Sequence, residues 1–430
     1  MPHFLHSYNI ICNLNICDEM FRKLYGNDEN RIGVQKIRYI NAVRKFESIY
    51  GQNKEIEIFS ASGRSEVCGN HTDHQNGKVL AAAVDLDAIA VVSFHDRHEI
   101  KLKSEGYEEI CISLEDLSIR EDEMGSTKAL LRGMVSCFEN IGVTVSGFDA
   151  YVTSEVLSGS GLSSSAAFET LIGTIIDIHY NDGKAGAVEI AKFGQIAENQ
   201  YFGKKSGLMD QMVSSVGGFV FIDFEDTENP KIEKVNVDFA EAGFNLVITD
   251  TKGSHANLTD DYVDVRMEMK QVAKYFGQEV LRQVNELEFY KSISAMRENG
   301  ISDRAILRAA HCIEENKRVE RAVESLQNKD FKSFLQVICE SGTSSYELLQ
   351  NVYSTHQPLN QEIPLALMIS KKILGEQGAY RVHGGGFAGT IQAFVPEKLT
   401  RQYIMAMSDI YGDDSCYVLH IRNTGGCQVL

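Results

Sequence analysis

The period of the apolar positions changes several times along the chain, and each change marks an element. Phe148, Ala150 and Val152 alternate as a strand does, and Gly159–Ser164 breaks that strand. Phe168, Leu171, Ile172, Ile175 and Ile176 then recur at helical spacing. Further helical stripes are Ile190-Phe193-Ala197-Tyr201, Tyr262-Val265-Met269-Val272-Phe276 and Ala309-Cys312-Asn316-Val319-Val323. A helical N-terminal region centres on Arg38–Tyr50. Ile56–Phe59 and Val79–Phe94 read as strands, as do Phe219–Phe224, Leu246–Thr249 and Thr390–Val395. The polar, acidic stretch Asp223–Lys234 is the best interior candidate for a boundary region. This mixture predicts an α+β architecture with sheets and helices in both halves.

A chain of 430 residues exceeds one compact core, so two domains are expected. Its 43% hydrophobic and 24% charged residues are ordinary for a globular protein. No apolar run approaches the roughly 20 residues of a membrane helix. The N-terminal Met1–His6 lacks a basic, then apolar, leader pattern, so no signal peptide is expected. Lys and Arg number 42 against 60 Asp and Glu, a net charge of −18 that makes nucleic acid and anionic membranes poor partners. The nine cysteines are scattered with no C-x-x-C pair, which argues against disulfides and structural zinc and fits a reducing cytoplasm.

Four segments carry candidate chemistry. Gly159-Ser160-Gly161-Leu162-Ser163-Ser164-Ser165 lies between a strand and a helix. Its glycines allow close backbone approach, and the helix start offers unpaired N–H groups, together an anion cradle suited to a di- or triphosphate. Hydroxyls at Ser163–Ser165 can add donors to phosphate and an oxygen to Mg²⁺. The same residues also suit a plain Gly/Ser turn with a serine cap. The triple glycine Gly384-Gly385-Gly386 fits either close approach to a ligand or a hairpin turn. Gly63–Gly77 packs Arg64, Asn70, His71, Asp73, His74 and Gln75 into a glycine-bounded stretch able to read hydroxyls, though a solvated loop is the plainer reading. In Gly207-Leu208-Met209-Asp210-Gln211, Asp210 is either a helix cap or a carboxylate that orients a substrate hydroxyl. Glu198, on the preceding helix, is either a surface residue or a Mg²⁺ ligand.

Taken together, these segments resemble the GHMP kinase superfamily. Gly63–Leu80 is similar to the galactokinase signature, approximately G-R-x-N-L-I-G-E-H-T-D-Y-x-x-G-x-V-L. Gly161–Ala166 is similar to its G-L-S-S-S-A, Gly207–Gln211 to G-I-M-D-Q, Arg308–Asn316 to R-A-x-H-x-x-x-E-N, and Gly384–Gly389 to G-G-G-F-G-G. The likeness runs from about residue 45 to the C-terminus. The first stretch of about 40 residues is longer than in the usual member.

The resemblance implies a two-domain GHMP kinase fold, 1–215 and 216–430, with the active site in the cleft between domains. It implies phosphate transfer from ATP to the anomeric hydroxyl of a galactose-like sugar. Asp210 and Arg64 would be catalytic, with Asp210 as base or as electrostatic orienter. Asn70, His71, Asp73, Gly207 and Tyr262 would contact the sugar. Gly159, Ser160, Gly161, Leu162, Ser163, Ser164, Ser165 and Gly385 would hold the ATP phosphates, and Ser165 and Glu198 would bind Mg²⁺. Tyr262 also lies on an apolar stripe, where a core role fits equally. His311 and Glu315 are expected on a polar helix face, outside catalysis.

Departures from the signature bear on the substrate. The usual Glu before His-x-Asp, which in galactokinases faces the C6 hydroxyl, is Asn70 here. An uncharged amide would tolerate a C6 carboxylate, and His71-Thr72-Asp73-His74-Gln75 resembles the H-x-D-H-Q of galacturonokinases. Galacturonate is therefore an alternative to galactose. A non-catalytic sugar sensor is a further alternative, but a known sensor lacks the Ser-Ala pair kept here at Ser165-Ala166. Ala388 replaces a glycine, an awkward change where φ must be positive.

Overall fold

A computed structural model describes residues 17–52, 54–156, 162–237, 239–253 and 258–430. Seven successive strands, β1 (Glu57–Cys68), β2 (Lys78–Phe94), β3 (Glu99–Ser104), β4 (Ile110–Ser113), β5 (Gly147–Ser154), β6 (Phe219–Asp223) and β7 (Lys231–Val235), share one large sheet. A smaller sheet holds β8 (Phe244–Asp250), β9 (Ala379–Val382), β10 (Thr390–Pro396) and β11 (Cys416–Leu419) in the order β11-β8-β10-β9. The last strand, β12 (Cys427–Gln428), returns to the large sheet and pairs with β1. Sheets and helices thus alternate through the whole chain, the α+β arrangement the periodicities predict.

The central strands β1 and β2 are buried along nearly their whole length because both faces of the sheet are covered there. One face packs on the helices Thr127–Asn140, Ser164–Asn181 and Gly186–Ile196 through Leu131, Phe138, Leu171, Ile172, Ile175 and Phe193. That core continues through Phe334 and Ile338 to Leu246, Ile248 and Phe394 of the smaller sheet. The other face, with Ile58, Ile89, Val91 and Tyr151, lies under the N-terminal helices Asp18–Tyr25 and Glu29–Tyr50. Asp28 caps the longer of these helices by accepting from the Asn30 and Arg31 N–H groups, and Gly51 ends it at φ 93°.

The Asp223–Lys234 stretch, expected as a boundary region, is the hairpin that joins β6 to β7 within the large sheet. The sheet therefore extends past residue 216, and its membership does not follow a cut there. Among the described residues, no helix is long and apolar enough to cross a membrane.

Two features of β1 and β2 shape the region of interest. The β1–β2 register is irregular between Ser62 and Arg64 and again between Glu66 and Cys68. The connection Gly69–Gly77 folds tightly on itself, with Thr72 Oγ1 donating to the carbonyls of Gly69 and Lys78. Gly77 admits no side chain, since a Cβ there would lie 2.6 Å from Asn316 Oδ1.

Candidate active site

The first irregularity aims Arg64 at the helix Met209–Val216. Gly63 lies so close to the serine-rich turn that a Cβ would stand 3.1 Å from the Leu162 carbonyl, and the Arg64 N–H donates to that carbonyl at 3.1 Å. The Arg64 side chain grips Asp210 with two bonds, Nε to Oδ1 and Nη2 to Oδ2, each 2.7 Å. Ser163 Oγ donates to Oδ2 at 2.5 Å. Asp210 is in the first turn of its helix and does not cap it; its carboxylate is engaged by these partners instead. Burial disfavours its charge, but the Arg64 guanidinium and the Ser163 hydroxyl outweigh burial and hold the carboxyl below the ordinary aspartate range.

Ser163 precedes the helix Ser164–Asn181 but does not cap it with its side chain. Its backbone sits in the left-handed region at φ 60°, ψ 70°, a conformation an L-residue adopts at a cost and one that accompanies the turn of its hydroxyl toward Asp210. The capped-turn reading of this serine therefore does not hold. Leu162 buries its side chain in the core and commits its carbonyl to Arg64. Ser164 and Ser165 stay partly exposed at the helix start. Gly159, Ser160 and Gly161 lie outside the described residues.

Ser165 Oγ donates to Glu198 Oε1 at 3.2 Å, and Lys204 Nζ reaches the same oxygen at 2.9 Å. Glu198 lies in a π-helical turn, Ala197–Phe202, that interrupts regular helix after Ile196. Gln211 Nε2 donates to both Glu198 Oε2 (2.9 Å) and Glu169 Oε2 (3.0 Å). Glu169, missed by the sequence reading, is fully buried; burial and the neighbouring Glu198 push its carboxyl well above the usual range. Nothing in its spacing on an apolar helix distinguished it from a surface glutamate.

The signature loop faces this cluster. The carboxylate of Asp73 makes no hydrogen bond among the described residues, and a Cβ on Gly207 would come within 3.3 Å of its Oδ2, which places these two together. His71 Nε2 meets the Gly385 carbonyl at 2.9 Å, and burial lowers the pKa of its ring. Tyr262 covers the triple glycine: its hydroxyl donates to Gly386 O at 3.0 Å, and a Cβ on Gly385 would lie 2.6 Å from its ring. Gly385 thus contacts Tyr262, His71 and Asn351, on the side of the signature loop. The non-glycine residue at positive φ in this loop is Phe387 (φ 62°), and Ala388 carries no such strain.

Asn70 departs from expectation. It is 1% exposed, and its carboxamide is fully used. Nδ2 donates to Glu66 Oε1 (2.9 Å) and Gly384 O (2.7 Å), while Oδ1 accepts from Asn351 Nδ2 (2.7 Å) and Ser345 Oγ (3.4 Å). It has no hydrogen-bonding position left for a sugar. The residue beside it with spare capacity is Glu66, also missed, although the signature has Asn at that position.

His311 and Glu315 are fully buried rather than on a polar face. His311 Nε2 contacts Asn70 O at 3.0 Å, and Glu315 Oε1 accepts from the Gly69 N–H at 3.1 Å. Arg318 Nε donates to Glu315 Oε2 at 2.5 Å. Burial lowers the His311 pKa to about 4, so the ring is neutral. The helix Asp303–Gln327 therefore braces the signature loop by satisfying its buried backbone groups.

Gly386→Ala tests the loop geometry. Its φ is 78°, and a Cβ would lie 2.0 Å from the Asn351 carbonyl, which itself accepts from Phe387 N at 2.5 Å. The substitution is expected to move the loop and lower the melting temperature. An unchanged melting temperature would count against this arrangement.

The chain matches the family profile "Galactokinase galactose-binding signature" over residues 44–94 and "GHMP kinases N terminal domain" over residues 129–218. A curated galactokinase of Actinobacillus pleuropneumoniae serotype 3 is 29% identical over 381 residues, covering 86% of this chain and 93% of that protein. The fold is similar to the crystal structure of Lactococcus lactis galactokinase complexed with galactose, with a TM-score of 0.74 at 23% identity, over 91% of this chain and 99% of that one. It is also similar to Methanococcus jannaschii mevalonate kinase, with a TM-score of 0.61 at 15% identity, over 85% and 98% of the two chains.

Proposed function

We propose that this chain, a galactokinase-like GHMP kinase, transfers the γ-phosphoryl group of ATP to the anomeric hydroxyl of galactose in the cytoplasm, giving galactose 1-phosphate and ADP. One observation carries the reading: Arg64 and Ser163 converge on Asp210 where the signature loop meets the serine-rich turn. Both halves of the chain contribute, since Tyr262 and Gly384–Gly386 approach from the second.

The geometry suits phosphoryl transfer, a reaction that rests on positioning and charge neutralisation more than on covalent help. Oδ1 of Asp210 accepts one bond, from Arg64, and a carboxylate oxygen can accept a second. The sugar hydroxyl donates there. An aspartate held ionised by Arg⁺ is a weak base, so it orients the hydroxyl and takes its proton late, once the new O–P bond has made that proton acidic. Arg64 offsets charge as the phosphoryl group arrives. Asp73, with its open carboxylate, and the exposed Gly207 hold the sugar beside it, with His71 and Tyr262 shaping the wall.

Ser165 and Glu198 offer a hydroxyl and a carboxylate 3.2 Å apart, hard oxygen donors that fit Mg²⁺ shared with substrate phosphates. The metal would neutralise phosphate charge. Lys204 must yield its place on Glu198 for this. Glu198→Gln is expected to raise the Mg²⁺ concentration for half-maximal rate by about tenfold or more and to weaken Mg²⁺-dependent nucleotide binding measured by calorimetry. Equal Mg²⁺ affinity in the two proteins would remove Glu198 as a ligand.

The galacturonate alternative relied on Asn70 facing the sugar and on the resemblance of His71–Gln75 to galacturonokinases; the satisfied carboxamide of Asn70 does not support the first ground. The deciding experiment is sugar-dependent ADP release with galactose, galacturonate, N-acetylgalactosamine and no sugar. Galactose is expected to give the highest kcat/KM; no sugar-dependent release from any of them would refute the kinase reading.

A further inference from the structure

Arg64, Ser65 and Glu66 pair in unbroken register with Ala83, Ala82 and Ala81 of β2. In such a stretch alternate side chains share a face and stand about 7 Å apart along the strand. Glu66 therefore lies on the Arg64 side of β1, about one sugar ring from the Arg64–Asp210 pair. It is 8% exposed. Its Oε1 accepts from Asn70 Nδ2 at 2.9 Å and lies 3.7 Å from Arg381 Nη2. Its Oε2 makes no hydrogen bond among the described residues, yet it is not among the oxygens sealed from solvent.

A carboxylate more than nine-tenths buried with an unclaimed oxygen is costly unless something donates to it. Burial pushes the carboxyl up to about 7, against the pull of Arg381 and Asn70. Of the nearby cations, Arg64 holds Asp210, and Arg381 donates to the Val67 and Val382 carbonyls through Nη1 and Nε while its buried Nη2 lies 3.7 Å from Glu66 Oε1 without a hydrogen bond. The signature has Asn where Glu66 stands and Glu where Asn70 stands. This chain keeps the pair and exchanges its members, so the acid has moved to the member with a free oxygen.

Resting on the sugar-kinase reading, we propose that Glu66 is a substrate-binding residue whose Oε2 accepts a hydrogen bond from a sugar hydroxyl remote from the one phosphorylated, and that Asn70 is the brace that holds it. The substrate class that follows is a neutral sugar. A carboxylate on the sugar at that end would face Glu66 and Asp73 together, with Arg64 held by Asp210 and Arg381 Nη2 sealed from solvent.

The test compares wild type, Glu66→Gln and Asn70→Ala in ADP-release assays in mildly alkaline buffer, where Glu66 is ionised. The sugars are galactose, galacturonate and deoxygalactoses that each lack one hydroxyl. Glu66→Gln should raise the galactose KM roughly 10- to 100-fold with the ATP KM unchanged, and should narrow the preference for galactose over galacturonate. For one deoxy sugar, the one lacking the contacted hydroxyl, wild type and Glu66→Gln should have the same KM. Asn70→Ala should lower the melting temperature and raise the KM of every sugar that keeps that hydroxyl by a similar factor. ATP binding measured by calorimetry checks that each variant is folded, and Glu66→Asp, which keeps the charge but shortens the reach, replaces any variant that is not. Wild-type activity on galactose with an unchanged galactose KM in the Glu66 variant would overturn the inference and leave the kinase reading intact. Absence of sugar-dependent turnover in wild type would overturn both.

Discussion

Asp210→Asn is expected to lower kcat by about 10²- to 10⁴-fold while leaving ATP affinity within a factor of about three. The amide keeps the size of the side chain, and its oxygen can still accept from Arg64 Nε. It cannot accept at both positions, so the Nη2 and Ser163 Oγ donors at the second position lose their acceptor. The loss is concentrated in the transition state, where an anionic oxygen must orient the attacking hydroxyl and receive its proton. Rapid-quench measurement of the phosphoryl-transfer step, with nucleotide affinity measured separately, distinguishes this from misfolding. A variant within a factor of ten of wild type would remove Asp210 from the chemistry. The pH profile gives a second check. Arg64 and Ser163 hold the Asp210 carboxyl below the ordinary aspartate range, so it remains ionised as pH falls through that range. Any acid limb of kcat/KM due to Asp210 should therefore lie below the pH at which a free aspartate titrates.

The elements that determine where the site forms were legible because they depend on local rules. Alternation at Phe148–Val152, a glycine-serine break and a helical stripe from Phe168 are short-range signals, and the observed strand Gly147–Ser154 and helix Ser164–Asn181 follow them. The meeting of Arg64 with Asp210, 146 residues apart in sequence, is a matter of tertiary packing. It was anticipated only through resemblance. Tertiary demand also explains the errors. His311 and Glu315 look like a polar helix face until the signature loop presents the Asn70 carbonyl and Gly69 N–H to them, groups that need partners once buried. The Asp223–Lys234 stretch is polar because a hairpin turn is solvated, and polarity alone does not separate a turn from a domain boundary. Asn70 drew attention as a departure from the signature. The matching departure at Glu66 was the stronger signal, and it gains meaning only when the two side chains are seen bonded to each other.

The largest expected loss of stability comes from Asp87→Ala, on the face of the large sheet away from the chemistry. Asp87 is fully buried and accepts side-chain hydrogen bonds from four residues. Tyr25 Oη donates to it at 2.6 Å, Arg38 Nη1 at 2.6 Å and Arg422 Nη1 at 3.0 Å, with Ser60 Oγ also bonded to Oδ2 and Arg38 Nη2 on its carbonyl at 2.9 Å. Tyr39 joins through Tyr25 at 2.8 Å. The network ties both N-terminal helices, β1, β2 and the C-terminal segment at one point. Removing the anion leaves Arg422 buried without a carboxylate partner and Arg38 with only the partly exposed Glu155, 3.3 Å away, which costs about 3–5 kcal/mol. In a chain of this size that is a melting-temperature fall of a few degrees, about 3–6 °C, with the N-terminal helices exchanging amide hydrogens first. Replacing Arg38, Asp87 and Arg422 together by Met, Leu and Met should cost much less, because the desolvation of all three charges disappears with their attraction. Burial raises the Asp87 carboxyl and the two arginines with Ser60 and Tyr25 lower it further, for a net downward shift. Its contribution is thus fully present above the ordinary aspartate range. It is lost as pH falls through that range and below, toward the depressed folded value. A single variant as stable as wild type, or a triple variant as unstable as the single, would show that these charges do not act as one unit.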